Sequence, residues 1–315
     1  MSADKLEMFR NRLTKVNKHI SKLMRKQGIS CYRIYDHDLP EFPFCIEIYG
    51  DQLYLAEYKR RHGMDDEAHE QWLNEALQVI SEVLNMPVDT INMRERIRKQ
   101  GRQGQYQRVR EIENFFVVEE AGLKFKVNLS DYLDSGLFLD HRITRSMVRA
   151  EAKDKMVLNL FCYTGSFSVY AAAGGASEVW SVDLSNTYLS WAEDNFRLNG
   201  LEDPSKYKFI RADVKQYLDE LPSGYFDLIV MDPPTFSNSK MMKDFLDIQR
   251  DHVELLNKAL RSMRDGGRLY FSTNYRKFLI DKDNIQASRI EDITGKTTPP
   301  DFQGKLFRYC YLITK

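Results

Sequence analysis

The stretch FDLIVMDPPTFSNSK, residues 226 to 240, runs apolar and then breaks on an acid followed by two prolines. Proline cannot donate to a sheet ladder, so the strand must end at Asp232. A residue before proline is also pushed out of the helical region, which leaves the Asp232 carboxylate in a stiff, extended loop shaped by Pro233 and Pro234. Two more acids close strand-like runs in the same manner, Asp183 after EVWSV and Asp213 after KYKFIRA. Upstream, LNLFCYTGSFS (158 to 168) sets Gly165 where a strand turns into a helix. A residue without Cβ there lets backbone amides approach a ligand, and a helix N-terminus favours anionic groups. Asp183 follows Gly165 by 18 residues, near the spacing at which an acid binds a ribose diol.

Taken singly, each of these features has a plain structural use, since many α/β turns need a glycine and many helices begin on an aspartate. Their succession is what points to a nucleotide-like site. A dinucleotide pyrophosphate favours a fuller Gly-rich turn and fewer acids nearby; a cationic adenosine ligand such as S-adenosylmethionine (SAM) suits an acidic rim better.

The elements that must position these residues alternate strictly from about residue 154. KMVLNLF, EVWSVDLS, KYKFIRAD, FDLIVMD and RLYFSTN read as strands, with helical patterns between them. Such alternation implies βαβ units and a parallel sheet covered on both faces. The closing runs RIEDITG and LFRYCYLITK have no expected helix between them and predict an antiparallel edge. The first part of the chain is different. Phe9, Leu13, Val16, Ile20 and Leu23 mark one face of a helix over about 4 to 27, ended by Gly28. Its other face is rich in Lys and Arg, as in an organellar targeting helix, but the strands that follow at once make it part of the fold. Strands at 31–36, 44–50 and 52–60, a helix over 65–85, a strand near 90–96 and a hairpin over 114–129 follow. The expectation is an α/β chain: a smaller α+β domain (1–150) that recognises substrate, then a Rossmann-like catalytic domain (151–315).

Among 315 residues, 43% are hydrophobic and 12% aromatic, enough for a packed core. No apolar run nears the roughly 20 residues that span a bilayer, so the chain reads as soluble and cytoplasmic. Cys31, Cys45, Cys162 and Cys310 are scattered without a CxxC and read as buried thiols, and the histidines lack ligand spacing, so no metal is expected. The 46 basic and 46 acidic side chains cancel, so any phosphate-binding surface must arise from local segregation of charge. The segment from Arg94 to Arg110, RERIRKQGRQGQYQRVR, holds seven Lys/Arg against one Glu. It reads either as a solvated loop or as a contact to an RNA backbone.

The sequence resembles the class I SAM-dependent methyltransferases, whose sheet ends in an antiparallel strand. DYLDSGLFLDHR (131–142), LNLFCYTGSFSVYAAAGGA, SVDLSNTYLSWAEDNFRLNG (181–200), MDPPTFSNSK and DIQRDH (247–252) are similar to the guanine-N7 half of the RlmKL-type bacterial 23S ribosomal RNA methyltransferases. The likeness runs along nearly the whole chain. In some bacteria that half is fused behind a second methyltransferase with an RNA-binding THUMP domain, which nothing here matches. The resemblance implies SAM as cofactor and ribosomal RNA as partner. It implies that Phe161, Tyr163, Thr164 and Gly165 line the methionine part of SAM, with Asn159 at the preceding strand. Asp183, beside Leu184, would hold the ribose, Asp213 the adenine amino group, and Asp232 would face the sulfonium. Arg142, with Phe138 and Asp140, would close the cofactor site.

The atom that receives the methyl group can be ranked chemically. A pyrimidine C5 needs a cysteine that adds to the ring, and the loop after Asp232 has none. Exocyclic amines are served by Asn-Pro-Pro-Tyr loops in related families, where this chain reads Asp-Pro-Pro-Thr. Guanine N7 has a lone pair and no proton, so alignment suffices without a base. On this reading Asp232 steadies the positive charge passing to the purine, Pro233 and Pro234 hold the loop, and Phe236 stacks on a splayed base. A cytosine-C5 or guanine-N2 enzyme, a nicotinamide-dependent oxidoreductase and a non-catalytic RNA-binding module are the alternatives.

Overall fold

The computed structural model describes residues 3–58, 64–96, 114–132, 134–237 and 245–315. Its contacts divide the chain into two compact units, Met1–Ser135 with Pro300–Lys305, and Gly136–Pro299 with Leu306–Lys315. The division falls ahead of the expected boundary at 150, because the helix over Arg142–Glu151 packs on the helix that follows Gly165.

In the first unit, α1 (Ala3–Lys26) buries Phe9, Leu13, Ile20 and Met24. Gly28, at φ +63°, ends it: Ile29 N–H reaches back to Met24 O and Gly28 N–H to Arg25 O, capping carbonyls that the last turn leaves open. Next come β1 (Cys31–Asp36), β2 (Phe44–Tyr49) and β3 (Gln52–Tyr58), an antiparallel meander. Helix α2 (Asp66–Leu84) starts on the Asp65 carboxylate, which accepts from Ala68 N–H, and buries Trp72. It crosses over to β4 (Ile91–Arg96), which pairs parallel with β3, a pairing that no local pattern announced. The hairpin of β5 (Phe115–Glu120) and β6 (Leu123–Asn128) stands as its own two-stranded sheet. Residues 97–110 of the basic segment lie outside the described residues.

The second unit carries α3 (Arg142–Glu151), β7 (Met156–Leu160), α4 (Ser166–Ala173), β8 (Glu178–Asp183), α5 (Asn186–Leu198), β9 (Tyr207–Arg211), α6 (Val214–Glu220) and β10 (Phe226–Met231). A short pair, β11 (Phe236–Ser237) and β12 (Leu246–Asp247), precedes α7 (Ile248–Ser262), β13 (Met263–Thr273), β14 (Arg289–Asp292), α8 (Thr294–Thr297) and β15 (Tyr309–Thr314). The last two strands form the expected antiparallel edge, although the one-turn α8 lies between them where no helix was expected. The sheet order is β14-β15-β13-β10-β7-β8-β9, the expected mostly parallel α/β class. Val157, Leu158 and Leu160 of β7 are buried, and each such side chain contributes about 1.5–3 kcal/mol.

This order locates the ligand edge. From β7 the chain steps outward through β8 to β9, then returns to the other side of β7 as β10. Connections leaving the carboxyl ends of β7 and β10 therefore diverge, and that crevice is where open α/β sheets take ligands.

Candidate active site

The turn after β7 is wound tightly. Phe161, Tyr163 and Gly165 sit at φ +57°, +51° and +72°, two of them bearing side chains in a region that favours glycine. Three sets of contacts hold this strained backbone. Cys162 N–H donates to Val182 O. Tyr163 N–H donates to Asp183 Oδ2 at 2.9 Å. The buried Thr164 hydroxyl donates to Gly136 O, and Thr164 O accepts from Asn195 Nδ2. Gly165 itself has no room for a side chain, since a Cβ would meet Ala192 Cβ at 2.7 Å. Its use is close packing of the turn on α5. Asn159 is buried and spends its amide on Ser168 Oγ.

Asp183 ends β8 beside that turn. Its second oxygen accepts from Ser185 N–H at 2.9 Å, and each carboxylate oxygen keeps lone-pair capacity for a further donor. Burial pushes its carboxyl above the usual aspartate value, while N–H donors from Ser185, Tyr163 and Leu184 pull against the rise. Asp213 caps α6 by accepting from Lys215 N–H, and Gln216 Nε2 reaches its other oxygen. An aromatic wall stands over the turn: Tyr163 lies 4.6 Å from Tyr188 and 5.3 Å from Phe138, ring centre to ring centre, and Phe138 is 43% exposed. Arg142 is buried with Nε on Leu139 O, and the wholly buried Arg145 donates to Phe138 O. These two arginines hold the segment that presents Phe138.

Asp232, at the end of β10, has a polar neighbour at each oxygen. Ser272 Oγ donates to Oδ1 at 2.5 Å, and His141 Nε2 lies 3.3 Å from Oδ2. The other ring nitrogen of His141 faces Arg308 Nη1 at 3.0 Å. A guanidinium only donates, so Nδ1 carries the lone pair and Nε2 carries the hydrogen, on the side of the ring that lies near Asp232. Arg308 is held in turn by Asp140 O and by Thr297 O and Oγ1. Burial holds the His141 pKa below the ordinary value; the carboxylates of Asp232 and Asp140 oppose that effect, while Arg308 and Arg145 add to it. The neutral tautomer and the lowered pKa agree.

Beyond Pro233 and Pro234, Phe236 is half-buried with its ring 5.6 Å from that of Phe245, and Arg250 lies over Phe245 at 4.1 Å. Residues 238–244 are outside the described set. The motif DIQRDH turns out to be scaffold. Asp247 caps α7 on Gln249 and Arg250 N–H, and the Gln249 amide pairs with both backbone groups of Leu279.

Sequence reading placed Asp183, Asp213 and Asp232 at strand ends, and the sheet brings those ends to one edge. It missed the hydrogen bonds of Ser272, His141 and Arg308 and the ring of Tyr188. Only Tyr188 left a local signal, as an aromatic three residues before Trp191 on a helix that faces the turn.

The sequence profile of the S-adenosylmethionine-dependent methyltransferase family matches residues 91–303. The chain belongs to this family. Within the methyltransferase family, it is 48% identical over 307 residues to ribosomal RNA large subunit methyltransferase K of Neisseria meningitidis serogroup B, covering 97% of this chain and 86% of that one. It is 45% identical to ribosomal RNA large subunit methyltransferase K/L of Pseudoalteromonas atlantica, covering 97% of this chain but 44% of that longer one. The crystal structure of SMU.776 complexed with SAH shares the fold, with a TM-score of 0.77 at 24% identity over 98% of this chain and 82% of that one.

The cofactor of this methyltransferase is SAM, and the site fits it. A half-buried acid with spare acceptors suits ribose hydroxyls, and the Asp232 carboxylate suits a cation. SAM supplies a methyl group on a positively charged sulfur. No helix among the described residues is long and apolar enough to cross a membrane.

Proposed function

We propose that this chain methylates large-subunit ribosomal RNA in the cytoplasm, at guanine N7, by direct in-line transfer without a covalent enzyme–base intermediate. The observation that carries the reading is the state of the thiols. All four cysteines are buried thiols that form no disulfide. Burial pushes the Cys162 thiol up, and that of Cys310 up to about 11. Only a thiolate adds to a pyrimidine ring, and neither of these two thiols of the second unit is poised to become one, which disfavours cytosine C5. Guanine N7 needs no nucleophile and no base. Asp232, held by the Ser272 hydroxyl with His141 beside it, can steady the charge that develops on the purine. Asp183 holds the ribose, Asp213 faces the adenine amino group, and Phe161, Tyr163, Thr164 and Gly165 shape the methionine end. Phe236 stacks on the base, which must leave the A-form groove to react.

The name borne by the similar proteins supports the RNA class, and the resemblance read from the motifs supports the atom. Incubating the chain with methyl-labelled SAM and large-subunit RNA from a strain lacking the activity, then digesting to nucleosides, tests both. Label in 7-methylguanosine is expected. Label in N2-methylguanosine or 5-methylcytidine contradicts the reading.

A further inference from the structure

Helix α1 divides its charges unequally. In its first half every base has an acid: Lys5 pairs with Glu41, Arg10 with Glu82 and Glu7, and Arg12 with Asp38. From Lys15 to Lys26 there are five Lys/Arg, namely Lys15, Lys18, Lys22, Arg25 and Lys26, and no acid at all. All five are exposed, and among the described residues none has a carboxylate at ion-pair distance. Steps of three, four and three residues from Lys15 to Arg25, and of four from Lys22 to Lys26, put them on one face. That face lies opposite the one that buries Leu13, Ile20 and Met24, and it runs for about 16 Å at 1.5 Å per residue.

Such a stripe acts against the helix that carries it. Lys18 and Lys22, and Lys22 and Lys26, are like charges four residues apart, an arrangement that weakens a helix. A solvated face needs charge, but it does not need charge of one sign; mixed signs would solvate it as well and repel less. A membrane surface is disfavoured because a basic helix binds one by inserting its apolar face, and here that face is already filled by the unit's own core, with Phe9 stacked on Phe42 at 4.3 Å. The partner that matches a rigid row of unneutralised cations is a regular row of anions.

We infer that the stripe Lys15, Lys18, Lys22, Arg25 and Lys26 is a docking face for the phosphate backbone of RNA, distinct in sequence from the segment Arg94 to Arg110. The inference rests on the RNA-substrate reading above but names a surface that reading does not use. Backbone contacts of this kind position an RNA without reading its sequence, so the stripe sets affinity and orientation and leaves base choice to the methyl-transfer site.

The test compares the full chain with a K15Q/K18Q/K22Q/R25Q/K26Q variant and a charge-keeping K15R/K18R/K22R/K26R variant. The probe is protein-free large-subunit RNA, titrated from 50 to 300 mM salt, both values being about the usual working range. With roughly three to five phosphates no longer neutralised, the glutamine variant should bind roughly tenfold or more weakly, and its log–log salt slope should shrink by about 2–4. The arginine variant should bind as the parent does. Adenosylhomocysteine affinity should not change, and the thermal midpoint of the glutamine variant should stay level or rise as repulsion is relieved. An unchanged affinity and slope would overturn the inference, as would parent-like RNA binding combined with loss of binding to vesicles containing phosphatidylserine. Binding is read apart from methyl transfer, so a parent that binds RNA through the stripe yet methylates none of it would sink the catalytic reading and leave the stripe standing.

Discussion

His141 meets Asp232 on one side of its ring, at 3.3 Å, and Arg308 on the other, at 3.0 Å. The cation therefore fixes a tautomer with its N–H on the nitrogen nearer the Asp232 carboxylate. Removing the cation with Arg308→Met frees Nδ1 to take a proton, and the facing Asp232 and Asp140 carboxylates then raise the His141 pKa. Nitrogen-15 imidazole shifts, assigned by loss of one signal in His141→Gln, should show the Nε2–H tautomer in the parent at pH 7.5. Arg308→Met should titrate at higher pH and gain an acid limb in its methyl-transfer profile. An Nδ1–H tautomer in the parent contradicts the relay.

The same lowered pKa has a consequence for stability. Below the ordinary histidine value of about 6.5 the unfolded chain takes a proton that the folded chain resists. Stability therefore falls as pH drops from about 6.5 toward the folded pKa, by roughly 1.4 kcal/mol per unit of separation. Urea unfolding at pH 7.5 and 5.5 should show a smaller acid loss for His141→Gln than for the parent. Equal losses would remove His141 from the balance.

Gly136 anchors the turn after β7 from outside it. Its φ is +97°, and a Cβ would stand 2.2 Å from Trp191 Cζ2, while its carbonyl receives the Thr164 hydroxyl. Gly136→Ala should cost about 1–3 kcal/mol through overpacking alone, with weaker cofactor binding as the turn shifts. A parent-like urea midpoint would show that the contact is slack.

Phe236 is braced by Phe245 on a two-residue strand at the end of the Asp-Pro-Pro-Thr loop. If it receives the base, Phe236→Leu should lower RNA turnover by about tenfold or more, in line with roughly 1–3 kcal/mol per stacked base. SAM affinity should hold. Equal losses of both would mark it as packing.

The parts of this site legible in the sequence were those that leave a local trace. A strand stopped by Pro233, a glycine at a strand–helix turn and acids closing β8 and β10 are chemical signatures of adjacent residues. The His141–Arg308 contact joins positions 167 residues apart, and no periodicity carries such a pairing. Helix α3 was not read, and its two buried arginines explain why: Arg142 and Arg145 interrupt the apolar pattern because their partners are the carbonyls of Leu139 and Phe138. The β3–β4 pairing was hidden for a similar reason, since parallel partners meet only after a crossover helix.

The central claim is that the Asp232 carboxylate serves methyl transfer itself and not merely the shape of the loop. Single-turnover transfer from labelled SAM to large-subunit RNA, measured beside SAM affinity in Asp232→Ala, tests it most directly. A rate lowered by about 10²–10³, with cofactor affinity nearly kept, is the predicted result. A variant that retains both the rate and the affinity would contradict it.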